Sequence, residues 1–375
     1  MLPERTEIVI VGAGFAGAAT AYALAKRGVR EIVILEREAG FGFHSSGRNA
    51  AFLRTTVTDP LDSTMAQQTL QLVRHAELLF GEAIDYHACG HMSVGRPEDM
   101  PFLEAEVRAT AAIGLDLQVL DRDGVIERCS ALASSSFTCG VFNGVDGVVD
   151  IHRLLHGYLT AARAGGVRVI YNCGVSEIET SGGRVTALRT NRGRIACSWL
   201  VNAAGAWAGE LGRRAGASPM PLTPCRRHLM TTPPSDWVER DWPMVWTVDN
   251  QFYFRPESGG LMLSACDQEP MAACEPPVDP TILDVLAERV TAELPQFDRV
   301  EIQRTWACLR TLTADHQFII GPDPILAGFF WVAGLGGHGV SASAALGEIA
   351  ADRLLGQRTL RYDASATDSA RFAAS

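Results

Sequence analysis

The sequence predicts an α/β fold in which a Rossmann-like nucleotide-binding domain is interleaved along the chain with a β-rich antiparallel domain. At the amino terminus, an apolar strand at 8–11 enters a glycine turn and then a helical stretch, which is the order of a βαβ unit. Short β-type runs separated by turn residues occupy the middle of the chain. A buried strand at 329–333, a glycine loop and a helix over 340–355 follow near the carboxyl end.

The first of these elements carries the glycine fingerprint of a dinucleotide site. Gly12, Gly14 and Gly17 stand in the spacing GxGxxG, and a second apolar strand ends at Glu36, about twenty residues further on. Such glycines allow a tight turn, a close approach of the pyrophosphate to the helix N-terminus, and close helix–strand packing. The Glu36 carboxylate would accept a ribose 2′-hydroxyl and repel a 2′-phosphate, so NAD and FAD are the candidate ligands.

The composition excludes several other classes of protein. The chain has 375 residues, 47% of them hydrophobic, and a formal net charge of −10. A nucleic-acid surface needs a basic stripe, whereas the arginines here are scattered, so no nucleic-acid partner is expected. The nine cysteines form no CxxC pair, so we expect no metal site and no disulfide framework. Without a signal-like leader or a membrane-length apolar run, the expected location is cytoplasmic, while peripheral membrane contact or a partner subunit stays open.

The rest of the chain divides by pattern into further helices and strands. Helical spacing over 64–80 predicts a helix, a β-meander is predicted over 167–196, and strand-like runs continue over 242–263. The tail beyond Leu360 is predicted to be weakly ordered. These patterns give five parts, with the nucleotide-binding domain taking 1–84, 145–218 and 305–375, and the substrate domain taking 85–144 and 219–304.

Four separated segments look like loops that face a ligand, namely the first glycine turn, 40–51, 202–207 and 334–339. Together they favour a flavin over a nicotinamide. The motifs, in chain order, are VGAGFAG at 11–17, LERE at 35–38, HSSGRNAA at 44–51, VNAAGAW at 201–207, WACLR at 306–310 and FWVAGLGGHG at 330–339. By this set the chain resembles the FAD-dependent oxidoreductases of the D-amino-acid oxidase superfamily, and within it the D-arginine and D-amino-acid dehydrogenases.

That resemblance implies a glutathione-reductase-like FAD-binding domain that holds FAD noncovalently. Relatives with the HSSGR-type motif keep the flavin dissociable, and no cysteine follows Cys308 to tether it. From the residues alone, Ser45, Ser46 and Asn49 supply short donors for a polar ring edge, and a helix beginning near Val340 would point its positive end at the flavin. The implied FAD contacts are Gly12, Ala13, Gly14, Phe15, Ala16, Gly17, Glu36, Arg37, Ser45, Ser46, Gly47, Arg48, Asn49, Ala50, Ala51, Val175, Ala204, Gly205, Trp207, Arg310, Gly336, Gly337, His338, Gly339 and Val340.

The resemblance also implies a substrate site with four candidate catalytic residues. Arg310 matches the arginine that binds the substrate carboxylate, a role that suits its guanidinium fork. Arg226 matches a second carboxylate contact, although the adjacent Arg227 leaves the register open. Tyr253 either bonds the carboxylate or packs as an aromatic strand residue, and His338 either faces the substrate or bonds only to the backbone.

The implied reaction is oxidative deamination of a D-amino acid, with hydride transfer from Cα to flavin N5. Phe52 and Val57 predict a less polar pocket than that of the arginine enzymes, so we expect a neutral or apolar side chain. Two alternatives stay open. One is an oxidase or dehydrogenase of an N-substituted glycine, an opine or a 2-hydroxy acid, and the other is a flavin-carrying subunit of a larger complex. The motifs do not distinguish oxygen, a quinone or another electron acceptor.

Overall fold

The computed structural model describes residues 1–249, 251–359 and 361–372, and two large sheets dominate it. The strands are β1 (Ile8–Val11), β2 (Ile32–Leu35), β3 (Phe52–Leu53), β4 (Tyr86–His87), β5 (His91–Gly95), β6 (Gln118–Asp121), β7 (Cys139–Asn143), β8 (Gly147–Val149), β9 (Arg168–Ile170), β10 (Val175–Ser181), β11 (Arg184–Thr190), β12 (Gly193–Ala196), β13 (Trp199–Asn202), β14 (Leu222–Thr231), β15 (Met244–Thr247), β16 (Tyr253–Glu257), β17 (Gly260–Ser264), β18 (Glu269–Pro270), β19 (Arg304–Thr313), β20 (Ile319–Pro322) and β21 (Phe329–Ala333). The helices are α1 (Phe15–Lys26), α2 (Pro60–Arg74), α3 (Ala76–Phe80), α4 (Met100–Ala111), α5 (Arg122–Arg128), α6 (Ile151–Ala164), α7 (Ala208–Ala215), α8 (Ile282–Glu293) and α9 (Ser343–Leu354).

The first sheet has the order β20-β21-β13-β1-β2-β9 and is parallel apart from the edge strand β20. Both of its faces are covered, because alternate side chains of β1 enter different cores. Ile8 and Ile10 pack with helices α1, α6 and α9, whereas Val9 packs with α7 and the β10–β11–β12 sheet. Since parallel strands end at one edge, the loops after β1, β2, β13 and β21 meet there.

The second sheet has the order β18-β14-β17-β16-β15-β5-β7-β6, and β19 pairs with β14. Its strands come from two separated stretches of sequence, since β5 from the early stretch pairs in parallel with β15 from the late one. The interleaved α/β fold predicted from the sequence is thereby confirmed. The boundary at residue 305 differs, because β19 pairs with β14 over ten residues and therefore joins the antiparallel sheet.

Two other expectations change in detail. The helix predicted over 64–80 is divided at His75 into α2 and α3, and α9 begins at Ser343 instead of near Val340. The predicted weak order of the tail is wrong for residues 361–372, where Thr367 and Ser369 are buried against the body of the protein. Leu360 and residues 373–375 lie outside the described residues. Within the described ranges, none of the helices is both long and apolar enough to cross a membrane.

Candidate functional site

A cavity of about 560 Å³ runs from the carboxyl edge of the first sheet to the face of the second. Its walls contain the ends of β1, β2 and β21 together with parts of β14, β15, β16 and β19. All four segments singled out in the sequence reach it. Of the predicted site residues, those outside the lining are Ala13, Gly17, Gly47, Ala51 and Arg226.

The first glycine turn has the shape that a nucleotide cradle requires. Gly12 has a φ of +110°, and a Cβ added there would lie 2.4 Å from the Ala203 carbonyl oxygen. A Cβ added at Gly17 would lie 2.0 Å from the carbonyl oxygen of Gly12. A Cβ added at Gly14 would lie 2.8 Å from Ser46 Oγ. Gly17 therefore secures the contact of α1 with the turn, while Gly14 keeps the cavity wall free of side chain. These positions fit the pyrophosphate of the predicted FAD.

Glu36 is held in place at the end of β2 by two backbone groups. Its Oε2 accepts a hydrogen bond from Ala13 N at 2.8 Å, and its Oε1 accepts one from Glu38 N at 3.0 Å. A carboxylate has about four lone-pair sites, so two remain for hydroxyl groups of a ligand. Nearby, the Arg37 guanidinium lies 3.7 Å from the ring centre of Trp207. This end of the cavity suits the ribose and adenine of a dinucleotide.

The loop at 44–51 holds itself together with the side chains that the sequence assigned to the cofactor. Ser45 Oγ donates to the Leu309 carbonyl, and Asn49 Nδ2 donates to the carbonyls of Ser45 and Ser46 at 3.0 and 2.9 Å. Ser46 Oγ accepts from Phe15 N at 3.1 Å, which joins the loop to α1. The donors of Ser45 and Asn49 are thus used within the protein, and Ser46 keeps a hydroxyl proton for a ligand.

The carboxyl-terminal glycine loop forms the wall opposite the loop at 44–51. Gly336 N donates to the Thr311 carbonyl at 2.9 Å and so joins the loop to β19. A turn over 338–342 stands between this loop and α9, so the helix N-terminus begins three residues later than the sequence predicted. Burial, helped by the charges of Arg54 and Arg310, lowers the pKa of His338 to about 3. His338 is therefore a neutral imidazole in the cavity wall.

Arg310 lines the cavity from β19. Its side chain is half-buried and makes no hydrogen bond or ion pair with another residue of the described ranges. The guanidinium packs against Gly337, where an added Cβ would lie 3.0 Å from Nη1 of Arg310. A side chain at that position would push the guanidinium away. The arrangement leaves the guanidinium fork free for a carboxylate, which it can bind through two parallel hydrogen bonds.

The two neighbouring arginines on β14 face opposite sides of their strand. Arg226 donates to Asp279 at 2.9 Å and to the Pro277 carbonyl at 3.0 Å, and it also pairs with Glu269. It does not reach the cavity. Arg227 lies opposite Cys308 in the β14–β19 pairing, on the face that also carries Arg310. Burial and the Arg310 charge lower the pKa of Arg227. The structure therefore places Arg227, not Arg226, beside Arg310.

The inner end of the cavity is the part lined by Tyr253, Arg310 and Arg54, and the sequence reasoning missed Arg54. Tyr253 is buried in the cavity wall and stacks on Trp246 at 4.7 Å, so it is both an aromatic packing residue and a lining residue. Arg54 also lines the cavity, with its guanidinium 4.7 Å from the ring centre of Trp246. The alternation of Phe52, Leu53 and Arg54 was the available signal, since Leu53 is buried while the other two face the cavity.

Comparisons with known proteins agree with this arrangement. A sequence profile of the family described as "DAO: FAD dependent oxidoreductase" matches residues 7–353. Mitochondrial dimethylglycine dehydrogenase of Rattus norvegicus is 25% identical over 375 residues, covering 94% of this chain and 43% of that protein. Hydrogen cyanide synthase subunit HcnC of Pseudomonas aeruginosa is 25% identical over 414 residues, covering 98% and 96%. The crystal structure of L-proline dehydrogenase from P. horikoshii has a TM-score of 0.89 at 23% identity and 99% coverage of both chains.

This chain matches only part of some of these relatives. The chain spans about two fifths of the length of mitochondrial relatives such as dimethylglycine dehydrogenase. The likeness to L-proline dehydrogenase, at 23% identity, concerns the fold. The names of the relatives extend beyond the D-arginine and D-amino-acid dehydrogenases whose motifs the sequence resembles. The family description names FAD as the cofactor, and the glycine cradle fits it.

Proposed function

The chain belongs to the DAO family of FAD-dependent oxidoreductases, and from that premise we propose that it oxidises the carbon–nitrogen bond of a small amino acid. The observation that carries the proposal is Arg310, whose guanidinium lies in the wall of the cofactor cavity and has no partner among the described residues. A carboxylate is the natural partner of such a group. An amino acid held there by its carboxylate would have its Cα next to the glycine loop that follows β21.

Different residues of the cavity would bind the two halves of the cofactor. Gly14 and Glu36 would hold the ADP half of FAD, and the loop over 334–340 would line the flavin half. Bound FAD supplies the two-electron acceptor for the substrate. We propose that it is held noncovalently, because the lining cysteines Cys173, Cys274 and Cys308 lie outside the terminal glycine loop.

The side chains near Arg310 act by binding and orienting the substrate. Arg227 adds a second positive charge behind the carboxylate, and Tyr253 brings a hydroxyl to the same wall. His338, being neutral, does not repel a substrate amine as an imidazolium would. No acid–base pair is required, since positioning the reacting carbon accounts for a large part of such catalysis.

We propose two substrate classes for this site. The motifs favour a D-amino acid, which is the first candidate. A secondary amine such as an N-methyl amino acid is the second, and it is supported by the relative whose name is dimethylglycine dehydrogenase. The expectation of an apolar pocket weakens, because Val57 is buried outside the cavity lining and Arg54 is inside it.

The test is anaerobic mixing of the purified yellow protein with D- and L-amino acids, N-methyl amino acids and 2-hydroxy acids, followed through the flavin absorption band. Bleaching by amines would support the proposal, and the reactive series would name the class. Bleaching by 2-hydroxy acids alone would replace amine oxidation by alcohol oxidation. If none of the compounds bleached the flavin, amino-acid oxidation by the isolated chain would be refuted.

A further inference from the structure

The inner end of the cavity holds more positive charge than one carboxylate needs. Arg54 and Arg310 both line it, and Arg227 stands beside Arg310 on the strand face. The acidic residues of the described lining are Glu36 and Glu210. Glu36 is bonded to the first glycine turn, and Glu210 lies in α7 just after Trp207, the residue that contacts Arg37. No lining carboxylate of the described residues therefore accompanies the inner arginines.

Two buried carboxylates, Asp146 and Glu106, lie behind Arg54 and favour its charged form, but neither is hydrogen-bonded to its guanidinium. Asp146 accepts four hydrogen bonds from the backbone and hydroxyl groups of Thr55 and Thr56. Glu106 is buried, and desolvation raises its pKa to about 7, so it carries only part of a negative charge at neutral pH. The Arg54 guanidinium makes no hydrogen bond within the described ranges and rests on Trp246. Its N–H donors are therefore open to an anionic group of a ligand in the cavity.

The two lining guanidiniums are supported by different parts of the fold. Arg310 comes from β19 and packs on Gly337 of the terminal loop. Arg54 follows β3, its backbone N donates to Ser341 Oγ at 3.0 Å, and its side chain lies on the Trp246 ring of β15. Because each has its own support, each can bind a separate anionic group of one ligand.

We propose that the substrate carries two carboxylates, one bound by Arg310 and the other by Arg54. This rests on the proposed function and narrows it to diacidic amines. Two sources share this chemistry, namely an amino acid with an acidic side chain and an amine whose nitrogen joins two carboxylate arms. A neutral or apolar side chain would leave Arg54 desolvated and unpaired, so such substrates bind less well.

The first experiment compares kcat/KM for diacids with that for their neutral counterparts. The pairs are D- and L-glutamate with D- and L-glutamine, and iminodiacetate with N-methylglycine. We expect the wild-type protein to prefer the diacid of a reactive pair by roughly 10- to 100-fold, the usual contribution of a hydrogen-bonded charge. The pair that reacts identifies the source of the second carboxylate. A wild-type preference for the neutral member would overturn the proposal.

The variant Arg54→Met should reduce that preference to within a few-fold of unity. Arg304→Met is the matched control, since Arg304 is exposed on β19 and contacts the ring of Trp306 outside this site. It should keep the wild-type preference. An undiminished preference in Arg54→Met would show that Arg54 does not bind the second carboxylate.

A binding measurement separates this proposal from the proposed function. Glutarate and butyrate carry two and one carboxylates and have no amine to oxidise, so their dissociation constants can be read from the perturbed flavin spectrum. Wild-type protein should bind glutarate about 10- to 100-fold more tightly than butyrate, and Arg54→Met should bind the two with similar affinity. If glutarate binds more tightly than butyrate but no amine bleaches the flavin, the proposed amine oxidation is refuted and the proposed diacid site is supported. Equal affinities would refute the diacid site.

Discussion

At the level of single residues, the site is decided by the side of a strand on which each arginine lies. Arg226 and Arg227 are adjacent and chemically identical, yet one pairs with Asp279 and the other faces Arg310. Alternation along β14 is the whole reason, because successive side chains in a strand point to opposite faces. A shift of one residue in pairing with β19 would exchange their roles.

The arginine pair can be separated by mutation. We expect Arg227→Met to lower kcat/KM by roughly 10- to 100-fold, because it removes a positive charge next to the substrate carboxylate. Arg226→Met should instead lower the free energy of unfolding by about 1–2 kcal/mol, since it loses hydrogen bonds to Asp279 and Pro277. Steady-state kinetics and urea unfolding of both variants distinguish these effects. The opposite pattern would return Arg226 to the site.

Arg310 allows a second prediction at this scale. Arg310→Met should retain FAD and raise KM so that kcat/KM falls about 100-fold, because a charge-assisted contact with the substrate is lost. Arg310→Lys should recover part of the loss, since it restores the charge without the fork. FAD content is measured by absorbance and KM by steady-state assay. Loss of FAD with an unchanged KM in the remaining holoenzyme would contradict the assignment.

At the level of elements, close packing of helices on the first sheet shapes the cavity. Helix α7 follows the cavity segment at 204–207 and packs on Trp331 of β21. This contact depends on Gly212, where an added Cβ would lie 2.1 Å from Cη2 of the Trp331 ring. Trp331 is itself held by a hydrogen bond from Nε1 to Asp323 at 2.8 Å. The ring therefore cannot turn aside without losing a buried hydrogen bond.

Two glycines of α7 make a matched pair for this contact. Gly212→Ala should lower the free energy of unfolding by about 1–3 kcal/mol, because the added methyl overpacks a buried ring. Gly209→Ala should be neutral or stabilising by up to about 1 kcal/mol, since an added Cβ there has no neighbour closer than 3.9 Å and alanine favours the helix. Thermal or urea unfolding in excess FAD measures both. Equal effects would mean that the Trp331 contact is not tight.

At the level of the whole molecule, the interleaved chain places the loops at the carboxyl edge of the first sheet against the face of the second sheet. Behind the substrate end of this junction lies a buried polar cluster around Arg54. Glu106 of α4 and Asp146 both act on its guanidinium. Desolvation raises the pKa of Glu106 from its usual 4.5 to about 7, although the Arg54 charge opposes the shift. The cluster therefore links global stability to pH.

This linkage predicts a pH dependence with a definite sign. The folded protein keeps the Glu106 proton to higher pH than the unfolded chain, so the contribution of Glu106 to stability is complete below about pH 4.5 and is lost as pH rises towards 7. Over that range the loss amounts to about 3 kcal/mol. Glu106→Gln should flatten the decline in unfolding free energy between pH 4.5 and 7 by that amount.

The control for this measurement is Glu104→Gln, which changes an exposed carboxylate of the same helix. It should leave the pH dependence of the unfolding free energy as it is in the wild type. Urea unfolding across the pH range, with FAD in excess, compares the three proteins. A decline in Glu106→Gln as steep as that of the wild type would exclude Glu106 as its source.

By itself, the sequence determined the nucleotide-binding unit and the presence of a second, antiparallel sheet. The glycine turn, Glu36 and the terminal glycine loop were identifiable because each depends on backbone geometry within a short stretch of chain. Tertiary structure alone decided that Arg54 lines the cavity and that Arg227 lies on the strand face of Arg310, while Arg226 and Val57 lie outside the lining. Strand register and the packing of distant segments determine which way those side chains point, and neither can be read from the spacing of residues along the sequence.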